Sequence, residues 1–156
     1  MVAVNQESSA ERELVLTRVV DAPRDRLWQA WTTPDMLKQW FVPKPWEITL
    51  VELDLRPGGV FHTVMRSPEG AEYDNPGVCL EVVPQERLVF TDAYVRAWQP
   101  SEKPFMTAIV TMEDAGPARP AIQPRRCTGR LRTAWPTRRW DFTKAGEHVS
   151  TIWWRW

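Results

Sequence analysis

Two histidines, His62 and His148, and two cysteines, Cys79 and Cys127, are the side chains to which acid–base, nucleophilic or metal chemistry would first be assigned. His62 stands beside Phe61 in a strand-like run, with no second histidine and no cysteine at ligand spacing. A metal centre needs three or four convergent ligands, so a lone strand histidine reads as solvent-facing or satisfied. Cys79 lies between Val78 and Leu80, the setting of a small buried hydrophobe rather than a nucleophile. Asp54 and Arg56 can pair with each other, or Arg56 with Glu52. No G-x-S-x-G, P-loop or G-x-G-x-x-G spacing occurs. Gly58-Gly59 reads as a turn. No catalytic residue, metal ligand set or cofactor is therefore expected.

The aromatic residues say more. Trp28, Trp31, Trp40, Phe41, Phe61, Tyr73, Phe90, Trp98 and Phe105 fall in a short span. Most read as core. Walls of this kind with few polar groups also suit an apolar ligand. By strand alternation, Phe61, Thr63 and Met65 share one face.

Their positions depend on the elements around them. Glu13 to Val20 alternates as a strand. Pro23 suits the first turn of a helix, and Leu27, Trp28 and Trp31 form its apolar face. Thr33-Pro34 ends that helix, and Thr33 is expected to cap the next, whose apolar face is Leu37, Trp40 and Phe41. From Ile48 the period changes to two. Arg56-Pro57-Gly58-Gly59 turns the chain into a strand from Val60 to Arg66, and Ser67-Pro68-Glu69-Gly70 turns it again. Glu72 to Val83 reads as one strand interrupted by Asn75-Pro76-Gly77. Pro84-Gln85-Glu86 leads to a strand over Arg87–Val95, Trp98 to Lys103 is a loop, and Phe105 to Met112 is a strand. Six strands and two short helices with short connections predict an antiparallel sheet.

A chain of 156 residues suits one domain with a core of its own. Its formal charge is zero, which gives no sign of nucleic-acid binding, and no run approaches the apolar length of a membrane helix. The first eleven residues read as a flexible tail without the pattern of a signal peptide, and two cysteines make no disulfide framework. The expectation is a cytoplasmic protein. The zero charge hides a break. An excess of seven acidic residues before Pro117 is offset by nine basic and two acidic residues in 117–156. That last segment is rich in Arg, Pro, Thr and Trp and has no clean period.

The motifs AP-x4-W-x-AWT-x-P-x2-L-x2-W, DLRPGG-x-F, MRSPEG and G-x3-EVVPQERLVFTD, in this order over roughly residues 12–114, resemble the family named after the activator of the ninety-kilodalton heat-shock protein's ATPase. That family belongs to the SRPBCC superfamily, with START lipid carriers, birch-pollen-allergen-like proteins and aromatase/cyclases. The resemblance implies an α+β helix-grip fold: a curved antiparallel sheet, two short helices after the first strand, and a long C-terminal helix across the sheet. It implies a space between sheet and helix for a hydrophobic ligand. Trp40, Phe61, Met65, Tyr73, Phe90 and Phe105 are the residues assigned to its wall, with a filled core as the alternative. The expected function is small hydrophobic-ligand binding. The alternatives are a co-chaperone-like ATPase activator and a polyketide cyclase/dehydratase-like enzyme. An exposed sheet edge would allow a homodimer.

After Gly116 the resemblance stops. No last strand and no long helix are legible there, and Pro117, Pro120, Pro124 and Pro136 exclude a continuous helix. Read from the third codon base, Trp140 to Trp156 permits G-F-H-E-G-W-G-T-C-V-D-H-L, similar to the family's terminal-helix motif G-F-H-E-G-W-G-x-C-x-D-x-L. The same frame over Ala121–Thr128 permits a segment like the family's last strand. The expectation is a domain over 12–116 and an aberrant basic tail over 117–156 created by a slipped reading frame. A sheet without its long helix would expose enough apolar surface to make the chain marginal or aggregation-prone.

Overall fold

A computed structural model describes residues 13–114 and the backbone of the strand 127–134. Strand β1 is Glu13–Val20, as the alternation predicts. Helix α1 (Arg24–Thr32) follows, with Pro23 at its N-cap, one place earlier than expected; the Pro23 carbonyl accepts from the Arg26 and Leu27 amides. Helix α2 is Pro34–Trp40. Thr33 joins the two helices as C-cap of one and N-cap of the other. Its side chain makes no capping bond, contrary to the sequence expectation. Its amide instead closes α1 on Gln29, and its carbonyl accepts the Leu37 amide of α2.

Strands β2 (Glu47–Leu53), β3 (Phe61–Arg66) and β4 (Glu72–Asn75) form one antiparallel sheet in the order β2-β3-β4. β5 (Val78–Val83), β6 (Arg87–Thr91), β9 (Thr107–Asp114) and β10 (Cys127–Ala134) join β1 in a second sheet, ordered β1-β10-β9-β6-β5. β7 (Tyr94–Arg96) and β8 (Gln99–Pro100) make a small hairpin; the strand expected over Arg87–Val95 ends at Thr91 and its last residues join β7, and β8 falls in the loop expected over Trp98–Lys103. The run predicted as one strand over Glu72–Val83 is two, β4 paired with β3 and β5 with β6. The break is Pro76-Gly77, since proline cannot donate to a ladder. A Cβ on Gly77 would stand 2.7 Å from the Thr91 carbonyl oxygen and 3.0 Å from that of Phe61. Only glycine lets the chain pass between the two sheets there. The Phe61 amide donates to the Gly77 carbonyl, and Val60 bridges Val78, so the sheets meet at this point.

β10 corrects the expectation that no strand follows Met112. It lies between β1 and β9, antiparallel to both, and pairs all eight residues of β1. CTGRLRTA has no strong strand pattern; pairing on both sides supplies what its own residues do not. The remainder of the predicted tail and its long-helix alternative lie outside the described residues.

The architecture is α+β, two short helices against curved antiparallel sheet, in agreement with the helix-grip expectation. In β9 the alternation is clean: Ala108, Val110 and Met112 are buried while Thr107, Ile109 and Thr111 are half-exposed. Leu27 and Trp31 of α1, Leu37 and Trp40 of α2, and Phe61, Leu88 and Phe90 of the strands join that face in one core. Each fully buried large side chain contributes about 1.5–3 kcal/mol.

Candidate functional site

The two helices hold the centre of the inner face closed. Trp31 and Trp40 meet edge-on with ring centroids 4.6 Å apart. The Trp40 indole N–H donates to the Ala30 carbonyl at 3.0 Å, so its one polar atom is satisfied within the helix pair. Phe41, at the C-cap of α2, touches Trp31, Trp40 and Phe61. Phe61 of β3 and Phe90 of β6 stack face to face at 3.9 Å with rings 7° from parallel. Trp31 packs on Phe90 at 6.2 Å. Three of the six predicted wall residues, Trp40, Phe61 and Phe90, therefore come together.

The other three lie elsewhere. Met65 is half-buried on the same face of β3 as Phe61, two pleats away. Tyr73 stands opposite Met65 across the β3–β4 ladder and is 49% exposed. It packs against Trp46, with centroids 5.4 Å apart. Phe105 lies in the segment before β9; its amide and that of Met106 both donate to the Asp92 carboxylate, at 2.9 and 2.8 Å. The inner face thus runs from a closed aromatic centre to a half-open end made by Ile48, Met65, Tyr73 and Trp46. Trp31, Phe41 and Trp46 were not among the predicted wall residues. Phe41 was legible as the next residue on the α2 face. Trp46 was not, because its contact with Tyr73 depends on the β2–β3–β4 register.

Of the polar candidates, His62 turns away from this face, whereas Cys79 lies in the core cluster opposite Phe90. His62, on the opposite side of β3, has its Nε2 bonded to the Asp74 carboxylate, and its Nδ1 lies 3.8 Å from Glu52. It is a satisfied cross-strand residue, as its sequence context suggested. Arg56 pairs with Asp54 at 2.7 Å. Cys79 is fully buried, and burial, helped by the negative charge of Asp54, pushes its thiol up from 9.0 to about 11. A thiol so far from its thiolate form is no nucleophile. Gly59 belongs to the turn that receives Cys79: it accepts the Cys79 amide, and a Cβ there would lie 2.1 Å from the Asp54 carbonyl oxygen. The DLRPGG motif is thus structural at these residues. Among the described residues no cluster of three metal-binding side chains occurs, and no helix is long and apolar enough to cross a membrane.

The profile of the family described as "Activator of Hsp90 ATPase homolog 1-like protein" matches residues 21–119. Among solved structures, a protein of Nitrosomonas europaea is 36% identical, with a TM-score of 0.73 and 92% of each chain covered. A protein of Chromobacterium violaceum shares the fold at 20% identity and a TM-score of 0.71, covering 91% of this chain and 94% of its own. A protein of Rhodobacter sphaeroides does so at 17% and 0.70, covering 93% and 89%. None of the curated proteins matches. The matched profile spans most of the helix–sheet unit, and with the 36% identity over nearly the full length it shows that this chain belongs to the activator of Hsp90 ATPase homolog 1-like family.

Proposed function

We propose that this domain binds a small hydrophobic or aromatic molecule on the inner face of its sheet. The supporting observation is the graded wall itself: a fully packed aromatic centre at Phe61 and Phe90 passing into the half-open end at Met65, Tyr73 and Trp46. Apolar surface lined by aromatic rings and few polar atoms suits such a ligand. Titration with 2-naphthol, followed by tryptophan fluorescence and by the melting temperature, tests the reading. Saturable quenching with a rise in melting temperature is expected. Neither quenching nor a shift with any apolar aromatic compound overturns it.

A second reading, an interaction module as the family description suggests, draws on Trp98. It is 89% exposed at the turn of the β7–β8 hairpin and has a positive φ of 65°. A bulky residue in this region is strained, and such strain gathers at functional sites. Altered turnover of an Hsp90-class ATPase on addition of this chain, lost in Trp98→Ala, would favour it.

In the first reading the ligand-binding unit is 12–116 together with β10, which joins β1 to β9, and the break in charge and pattern after Gly116 is a slip of reading frame. Resequencing codons 105–156 decides: one or two bases missing or extra near codon 116 are expected, and an intact frame overturns this part.

A further inference from the structure

Three polar residues are buried among the described ones: Thr63, Ser67 and Thr91. Two are satisfied. The Thr91 hydroxyl bonds the Met106 carbonyl and the Thr107 hydroxyl, each at 2.9 Å, and accepts from the Ala93 amide. Ser67 accepts the Ala71 amide. Thr63 is 3% exposed, and its hydroxyl has no hydrogen-bond partner among the described residues. Buried hydroxyls are rarely left so, because the lost hydration is not recovered. Valine has nearly the same shape and would fill the position without that cost.

Thr63 is the middle of β3, itself the central strand of its sheet. It shares the inner face with Phe61 on one side and Met65 on the other. Its cross-strand neighbours on that face are Val51 and Asn75. The Asn75 amide nitrogen donates to the Tyr73 carbonyl at 2.8 Å, and its side-chain oxygen has no partner among the described residues. A hydroxyl donor and an amide acceptor thus sit side by side at the point where the closed aromatic centre gives way to the half-open end.

We infer that Thr63 is a polar anchor of the ligand-binding face, and that the ligand is an apolar or aromatic molecule bearing a hydroxyl or carbonyl group rather than a plain hydrocarbon. The inference rests on the proposed ligand-binding function and adds the chemical class. The Thr63 hydroxyl donates to the ligand oxygen, and a ligand hydroxyl in turn donates to Asn75. Phe61 and Met65 take the apolar body on either side.

Naphthalene and 2-naphthol, which differ by one hydroxyl, test it on the full chain with Thr63→Val and Thr63→Ser. The wild type is expected to bind 2-naphthol roughly 3- to 10-fold more tightly than naphthalene, the range one net hydrogen bond provides. Thr63→Val should remove this preference while leaving naphthalene affinity unchanged, and Thr63→Ser should keep it. Without ligand, Thr63→Val should melt no lower than the wild type. Equal binding of the two probes by the wild type overturns the inference and leaves ligand binding standing. So does a preference that survives in Thr63→Val. A melting temperature lowered by more than about 4 °C in Thr63→Val also overturns it, because the hydroxyl then has a structural partner such as a bound water. Binding of neither probe overturns this inference, and the ligand reading falls with it when no other apolar aromatic compound binds either.

Discussion

The two ends of the inner face use the same kinds of residue to opposite effect. At the centre, Phe61, Phe90, Trp31 and Trp40 bury their rings against one another, and the one indole N–H of Trp40 is spent on Ala30. At the β2–β3–β4 end, Trp46 and Tyr73 also meet ring to ring, yet Tyr73 keeps half its surface in solvent. The difference is cover. The centre lies under α1 and α2, whereas Tyr73 sits on β4, away from both helices. Aromatic content alone therefore does not distinguish a packed core from a surface that a ligand can reach.

Phe61→Ala should break the closed centre most severely, removing the stacked partner of Phe90. A loss of about 3–5 kcal/mol in urea unfolding is expected. A loss near that of Tyr73→Ala would mean the two ends do not differ.

Next comes Cys79, beneath the DLRPGG turn. Its folded thiol titrates at about 11 against 9.0 unfolded. The folded state holds the proton more tightly, so this contribution is complete below pH 9 and is lost as the pH rises toward 11. The stability of the wild type relative to Cys79→Ala should be flat to pH 9 and fall by on the order of 2 kcal/mol by pH 11. A difference independent of pH over that range would refute the assignment.

Trp40→Phe sharpens the comparison. It keeps the aromatic body but leaves the Ala30 carbonyl without its indole donor, at a cost of about 1–2 kcal/mol read by thermal melting. Tyr73→Ala should have the smallest effect on folding, within about 1 kcal/mol, while weakening 2-naphthol binding several-fold. Unchanged affinity would remove Tyr73 from the binding end.

The local elements were legible because neighbours in sequence decide them. Glu13 to Val20 is a strand by its own alternation. The Thr33-Pro34 junction follows from what proline does to the residue before it, and the Arg56–Gly59 turn from its proline and glycines. Trp40, Phe61 and Phe90 could be named as wall residues, since a few large aromatics in a small domain have few places to go. Their partition between a sealed centre and an open end could not be read, because it depends on where the helices lie over the sheet.

By itself, then, the sequence determined most of the element types, the family and the apolar character of one face, all consequences of short-range pattern. Tertiary structure alone decided that Glu72–Val83 splits between two sheets at Pro76-Gly77 and that β10 is inserted between β1 and β9. It also decided that Trp46 meets Tyr73 and that the Thr63 hydroxyl is buried without a partner among the described residues. Each of these depends on strand register and on contacts between residues distant in the chain, and no local propensity encodes those distances.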